Sequence, residues 1–165
     1  MAKTLKKKSQ PRGRKSSSAV YWEKKFIPKL RKLHGNHYRN IFHKIMKKTS
    51  KVKSNLKKRS EEYEVVFDLE LPEIRHLMYR HYGKPCKYCQ GTLVCSNIVF
   101  DHSTAISHGG PSVIDNIQII CNRCNVRKGP LSDKDYKKVL KFVLTQEDYV
   151  QRYIFKKLAS KDIHK

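Results

Sequence analysis

The spacing of apolar positions changes several times along this 165-residue chain, and each change predicts an element. From Ala19 to Leu33, "AVYWEKKFIPKLRKL" predicts a short helix, interrupted near Pro28 because proline lacks the amide donor and crowds the preceding turn. From Asn36 to Ser60, Tyr38, Ile41, Phe42, Ile45 and Met46 recur at helical spacing with Lys and Arg between them. That pattern predicts a basic amphipathic helix, which could dock on the rest of the chain, on nucleic acid or on lipid. The period then drops to two. In "YEVVFDLEL", Tyr63, Val65, Phe67 and Leu69 share one face, which predicts a strand. Pro72 opens a further helix with Ile74, Leu77, Met78 and Tyr82 as its apolar stripe, and Gly83 ends it.

A second group of elements follows. Asn97 to Phe100 reads as a strand ending at Asp101-His102, and a loop broken by Gly109, Gly110 and Pro111 comes next. Ile117 to Ile120 reads as a second strand delivering Cys121. A short helix should start around Cys121–Cys124 and carry Asn125, Arg127 and Lys128. After Leu131 one or two helices are expected, with Ser132 as a cap and Val139, Leu140 and Val143 toward a core. The fold class is therefore α+β.

The cysteines add chemistry to this pattern. Cys86 and Cys89 form "CKYC", and Cys121 and Cys124 form "CNRC". Two such pairs can supply four thiolates to one tetrahedral Zn²⁺, and four protein ligands leave no open position, so the site is structural. Cys95 is left over as a buried or free thiol. Disulfides and single-pair redox chemistry are the competing uses of these residues.

Charge divides the chain. Residues 1–60 hold 21 Lys and Arg against one acid, Glu23, a formal +20; residues 61–165 carry only +3. Residues 1–18 are Lys- and Ser-rich and should be disordered alone. A segment so basic repels itself and seeks polyanions, nucleic acid first; a solvated tail is the next reading and a membrane surface the third. Tyr21, Trp22, Tyr38 and Phe42 are expected to pack rather than stack on bases. No apolar run approaches the roughly 20 residues that span a bilayer, and no apolar stretch of a secretory signal follows the basic start. The expectation is an intracellular protein with no membrane partner.

Between the knuckles the order is Asp101-His102, Gly109-Gly110, Asp115-Asn116, Cys121-x-x-Cys124-Asn125 and Lys128-Gly129. This resembles the HNH nuclease family, whose core is the ββα-metal fold. The resemblance covers roughly Lys84 to Leu131, and it is nearest to small zinc-containing HNH proteins of phages, including homing-type endonucleases. Asn125 stands where the signature often has His, and Ala105 where many members have Pro.

The resemblance implies a DNA endonuclease that leaves 5′-phosphate and 3′-hydroxyl ends, with His102 as the general base. It implies that Asn116 holds the loop and thereby His102. Asp101 and Asn125 offer hard oxygen ligands to one catalytic Mg²⁺ or Mn²⁺. Asp101 could instead orient His102 or cap a turn, and Asn125 could cap a helix. Arg127 and Lys128 are expected phosphate contacts.

The expected organisation is a basic nucleic-acid-binding arm at 1–60, the zinc-stapled nuclease core with its preceding strand and helix at 61–131, and a helical extension at 132–165. One core makes one cut, so a monomer should nick and double-strand cleavage would need a homodimer or two nicks. A phage protein would work in the bacterial cytoplasm, a eukaryotic one in a nucleus or organelle. Two other functions fit parts of the sequence: a non-catalytic zinc-ribbon nucleic-acid binder, and an enzyme acting on structured RNA.

Overall fold

The computed structural model describes the backbone of residues 17–160 and the side chains of residues 24–160. The expectations for residues 1–16 and for the side chains of Tyr21 and Trp22 lie outside the described residues. Among the described residues, and with three short 3-10 turns between them, six α-helices and four short strands follow one another. They are α1 (Ser17–His34), α2 (Tyr38–Glu62), β1 (Phe67–Asp68), α3 (Leu71–His81), β2 (Ile98–His102), β3 (Ser112–Val113), β4 (Ile117–Cys121), α4 (Asn122–Lys128), α5 (Asp133–Val143) and α6 (Asp148–Leu158). No helix among the described residues is long and apolar enough to cross a membrane.

Helix α1 does not break at Pro28, as the sequence led us to expect; it runs through it. An interior proline costs about 3 kcal/mol. Phe26 and Leu30 flank it and are completely buried, and burying each side chain contributes about 1.5–3 kcal/mol. Phe26 also meets Tyr79 and Tyr82 edge to face, with ring centroids 5.4 and 5.8 Å away. Burial on both sides of the proline offsets the lost helix bond.

Helix α2 settles which of its possible partners it docks on. Ile45, Thr49, Leu56 and Ser60 are buried along one side, with Tyr38, Ile41, Phe42 and Met46 half-buried beside them. They pack with Ile74 and Met78 of α3 and Ile98 and Phe100 of β2 into one core. The division of charge near residue 60 therefore does not coincide with a division in packing. The lysines of α2 occupy the remaining, mostly exposed faces of a helix whose apolar stripe is internal.

The strand expected at 63–69 shrinks to Phe67–Asp68, paired in parallel with Ser112–Val113. The end of α2 takes the preceding residues: Tyr63 N–H donates to Arg59 O at 3.0 Å and Val65 N–H to Ser60 O at 2.9 Å. Glu64 turns the chain with φ 54°. Tyr63 is 48% exposed and falls outside the pattern, but from Val65 the alternation does line the core: Val65 and Phe67 are half-buried and Leu69 is buried, whereas Val66, Asp68 and Glu70 are exposed. The expected α3 is present, with Ile74 and Met78 buried and Leu77 half-buried.

β2 and β4 form an antiparallel pair in which Ile98 faces Cys121, Asp101 faces Gln118 and His102 faces Ile117. Helix α4 follows directly, completing a β-β-α unit. Ser132 caps α5, its hydroxyl accepting from Asp135 N–H at 3.1 Å. Tyr136 and Val143 are buried on α5, whereas Val139 and Leu140 are only half-buried.

If α2 belongs to the core, Ile45→Ala should destabilise the protein by about 2–5 kcal/mol, the range for emptying a buried aliphatic site. Exposed Lys58→Ala should change stability by less than about 0.5 kcal/mol. Chemical denaturation of the two variants checks both.

Candidate active site and metal centre

The first knuckle is a tight hairpin. Leu93 N–H donates to Lys84 O at 2.8 Å, Cys86 N–H to Gly91 O at 2.8 Å and Gln90 N–H to Cys86 O at 3.0 Å. The second knuckle is a helix start. Cys121 ends β4, and its sulfur accepts from Cys124 N–H at 3.4 Å. Cys121 N–H in turn donates to Cys86 Sγ at 3.4 Å, which joins the two knuckles.

All four sulfurs lie within 4.8 Å of one another, and Cys89 Sγ and Cys121 Sγ are 3.6 Å apart. Zinc–sulfur bonds of about 2.3 Å in a tetrahedron place sulfurs roughly 3.8 Å apart. The cluster therefore fits a structural zinc. Burial opposes ionisation of Cys89, but the Gly91 amide and the Arg123 guanidinium outweigh it and lower its pKa to about 6. Burial pushes Cys121 and Cys124 the other way. A divalent cation held by the four sulfurs would supply the charge that thiolate ligands need. Cys95 is half-buried and stands outside the cluster.

The strand end carries the second site. Asp101 Oδ2 accepts from Gln118 Nε2 at 2.8 Å and lies 3.0 Å from Lys128 Nζ. The same ammonium donates to the carbonyl of His102 at 3.0 Å. Gln118 Oε1 accepts from Lys87 Nζ at 2.7 Å, and Gln118 Nε2 also donates to Tyr88 OH at 3.2 Å. Tyr88 OH donates to Asp133 Oδ1 at 2.5 Å. A polar chain thus runs from α5 through the first knuckle to Asp101.

The ring of His102 is buried, with Nε2 2.8 Å from Ser112 Oγ. Burial first, and then the Arg59 guanidinium, hold its pKa below the ordinary imidazole value, while Asp101 pulls upward. The neutral form is favoured, as a base requires.

Asn116 clamps the loop between β2 and β3. Its Oδ1 accepts from Thr104 N–H at 2.8 Å, and its Nδ2 donates to Pro111 O at 2.8 Å and Thr104 O at 3.1 Å. Gly110 is required beside that clamp: a Cβ there would lie 1.9 Å from Thr104 O.

Asp101 and His102 open on a cleft of about 160 Å³ whose other walls include Arg59, Tyr63, Ser107 and Gly129. The HNH endonuclease family model matches residues 86–131, which span both knuckles and the strand end. Residues 86–131 are an HNH endonuclease domain. No curated protein and no solved structure matches the chain.

Within the HNH domain, Asn125 sits on α4 one turn before Lys128 and does not line the cleft. Its side chain is half-buried and has no hydrogen-bond partner among the described residues. The expected phosphate contacts change most. Lys128 is fully buried and bonded to Asp101 and His102, so it has no surface to offer a phosphate. Lysine is almost never fully buried, which is why the position of Lys128 on the short helix points to a phosphate contact in the sequence. Arg127 is half-buried, with its guanidinium 4.0 Å from the centre of the Phe155 ring on α6.

Arg59 and Tyr63, which sequence reasoning missed as site residues, come from the end of α2 and lie outside the HNH match. A periodic reading of "KKRSEEYE" could not say which side of the helix meets a cleft.

Lys128→Met should therefore cost roughly 2–3 kcal/mol of stability, because a largely shielded carboxylate and a carbonyl lose their charged donor. It should leave the salt dependence of nucleic-acid binding unchanged. Thermal denaturation and a salt titration separate this from a phosphate contact, whose loss would lower the log–log slope by about 0.9.

Proposed function

We propose that the protein is a metal-dependent DNA endonuclease that hydrolyses phosphodiester bonds to 5′-phosphate and 3′-hydroxyl ends. The observation that carries this reading is a neutral, buried His102 beside Asp101, at a cleft in an HNH domain walled on one side by Arg59. His102 takes a proton from the attacking water. Asn116 keeps the loop after β2 closed, so the ring holds its place while the phosphate is present. The Arg59 guanidinium pairs with the charge of the phosphate, and Tyr63 borders the path of the strand.

Gln118 and Lys128 both use Asp101 Oδ2, which leaves Oδ1 for a cation, and Asn125, on α4 outside the cleft lining, carries a further amide oxygen. These hard donors suit Mg²⁺ or Mn²⁺, which keeps several of its waters. When bound, such an ion supplies charge stabilisation for the phosphate and the departing 3′ oxygen. Lys128 Nζ, 3.0 Å from Asp101 Oδ2, holds the carboxylate in place. One core makes one cut, so the monomer nicks. The homing-type role suggested by the family resemblance would appear as cleavage at one long DNA site.

His102→Ala should slow single-turnover DNA cleavage by about 10²–10⁴-fold, the usual loss for a general base, with zinc content and DNA affinity retained. EDTA treatment mild enough to spare the thiolate site should abolish cleavage, and Mg²⁺ or Mn²⁺ should restore it. Matched DNA and RNA substrates decide the substrate class. Cleavage at an undiminished rate by His102→Ala would remove the proposed base, and no cleavage of either nucleic acid under any metal would favour a zinc-ribbon binder.

Arg59→Ala should weaken DNA binding and lower its log–log salt slope by about 0.9, one phosphate contact. Measuring affinity across salt concentrations checks this.

A further inference from the structure

A line of three buried polar side chains runs from the cleft into helix α2. His102, Ser112 and Ser60 are 3%, 0% and 1% exposed. His102 Nε2 lies 2.8 Å from Ser112 Oγ, Ser112 Oγ lies 2.7 Å from Ser60 Oγ, and Ser60 Oγ lies 2.9 Å from Leu56 O. Nothing in the proposed chemistry yet uses the two serines. One of them, Ser60, lies outside the HNH match at 86–131.

The far end of this line is a carbonyl, which can only accept. If Ser60 donates to Leu56 O, its oxygen is free to accept from Ser112. Ser112 then spends its single proton on Ser60 and accepts from His102 Nε2–H. Three protons make three hydrogen bonds. In the reverse direction Ser60 donates to Ser112 and Ser112 to Nε2. That arrangement makes only two bonds along the line and moves the ring proton to Nδ1. A dry interior favours the arrangement with no proton or bond wasted.

The other ring nitrogen fits this direction. His102 Nδ1 has no hydrogen-bond partner among the described residues, yet it is not one of the buried atoms left without one, so it keeps contact with solvent. His102 is one of the residues lining the cleft, and the cleft is the solvent that this contact can reach.

We infer that Ser112 and Ser60 are positioning residues that hold the His102 imidazole as the tautomer protonated on Nε2, with the lone pair of Nδ1 presented to the cleft. Helix α2 thereby sets the proton inventory of a base that belongs to a different segment of the chain. The inference deepens the nuclease reading and rests on it for its functional meaning, but the tautomer itself does not depend on cleavage.

The test uses the full chain with zinc bound. Long-range ¹H–¹⁵N spectra of the histidine rings, with His102 assigned by comparison with His102→Ala, report which nitrogen carries the proton. The wild-type spectrum should have Nε2 protonated and Nδ1 bare. Ser60→Ala removes the acceptor for the Ser112 proton, so Ser112 becomes free to donate to Nε2 and the spectrum should shift toward the Nδ1-protonated form. Ser60→Thr, which keeps a hydroxyl able to bond the same carbonyl, should restore the wild-type pattern.

Single-turnover cleavage by Ser60→Ala should fall by roughly tenfold to a hundredfold, less than removal of the base outright, with DNA affinity and zinc content unchanged. A wild-type ring protonated on Nδ1 would overturn the inference even if Ser60→Ala failed to fold. So would a Ser60→Ala spectrum identical to wild type. Absence of cleavage with the expected tautomer present would instead count against the nuclease reading alone.

Discussion

The ammonium group of Lys128 holds the end of β2 against α4 by bonding two consecutive residues, the Asp101 carboxylate and the His102 carbonyl. Because the group is fully buried, leaving it unpaired would be prohibitive, and this forces strand end and helix into one relative position. The zinc knuckles act on the same unit from its other end, since Cys121 both ends β4 and starts α4. Between them, the β-β-α unit has its two ends tied by different chemistry, thiolates at one and an ion pair at the other. The geometry of Asp101 and His102 is a consequence of both ties.

Around that unit the side chains of Asp101 and His102 join two different polar systems, bridged only through Lys128 and the His102 carbonyl. Asp101 belongs to one that runs through Gln118 and Tyr88 to Asp133 at the start of α5. His102 belongs to another that runs through Ser112 to α2. Adjacent residues on a strand point in different directions, and here this lets one be held by the C-terminal helices and its neighbour by the N-terminal ones. The C-terminal extension and the basic N-terminal segment both take part in the site without supplying its base.

The parts of this site that were legible in the sequence are those whose partners are close in the chain or fixed in spacing. Cys86, Cys89, Cys121 and Cys124 announce one cluster by their spacing, and Asn116 reaches the loop only twelve residues earlier. Helices α2, α3 and α5 follow their apolar stripes. Side-chain burial was less legible. Lys128 reads as a surface charge until β2 is folded beneath it. "YEVVFDLEL" reads as a strand because alternation is visible, whereas the lack of a long partner strand is not. Arg59, Ser60 and Tyr63 carry no signal, because their meaning comes from a contact with residues some forty to fifty positions later.

Helix α2 shows what this means for the modularity of the HNH motif. Leu56 and Ser60 point inward, whereas Arg59 and Tyr63 reach the cleft, all within the last turns of this helix and the residue that caps it. Adding or removing one residue there would rotate everything beyond it by about 100°, taking the inward and cleft-facing groups out of phase together. Residues 86–131 are thus recognisable as a cassette, but not transferable as one. In a recombination between two such proteins, a crossover just before Cys86 would carry the motif and leave behind Arg59, Tyr63 and Ser60. The smallest unit that could be exchanged with its cleft intact begins upstream, where α2 enters the core.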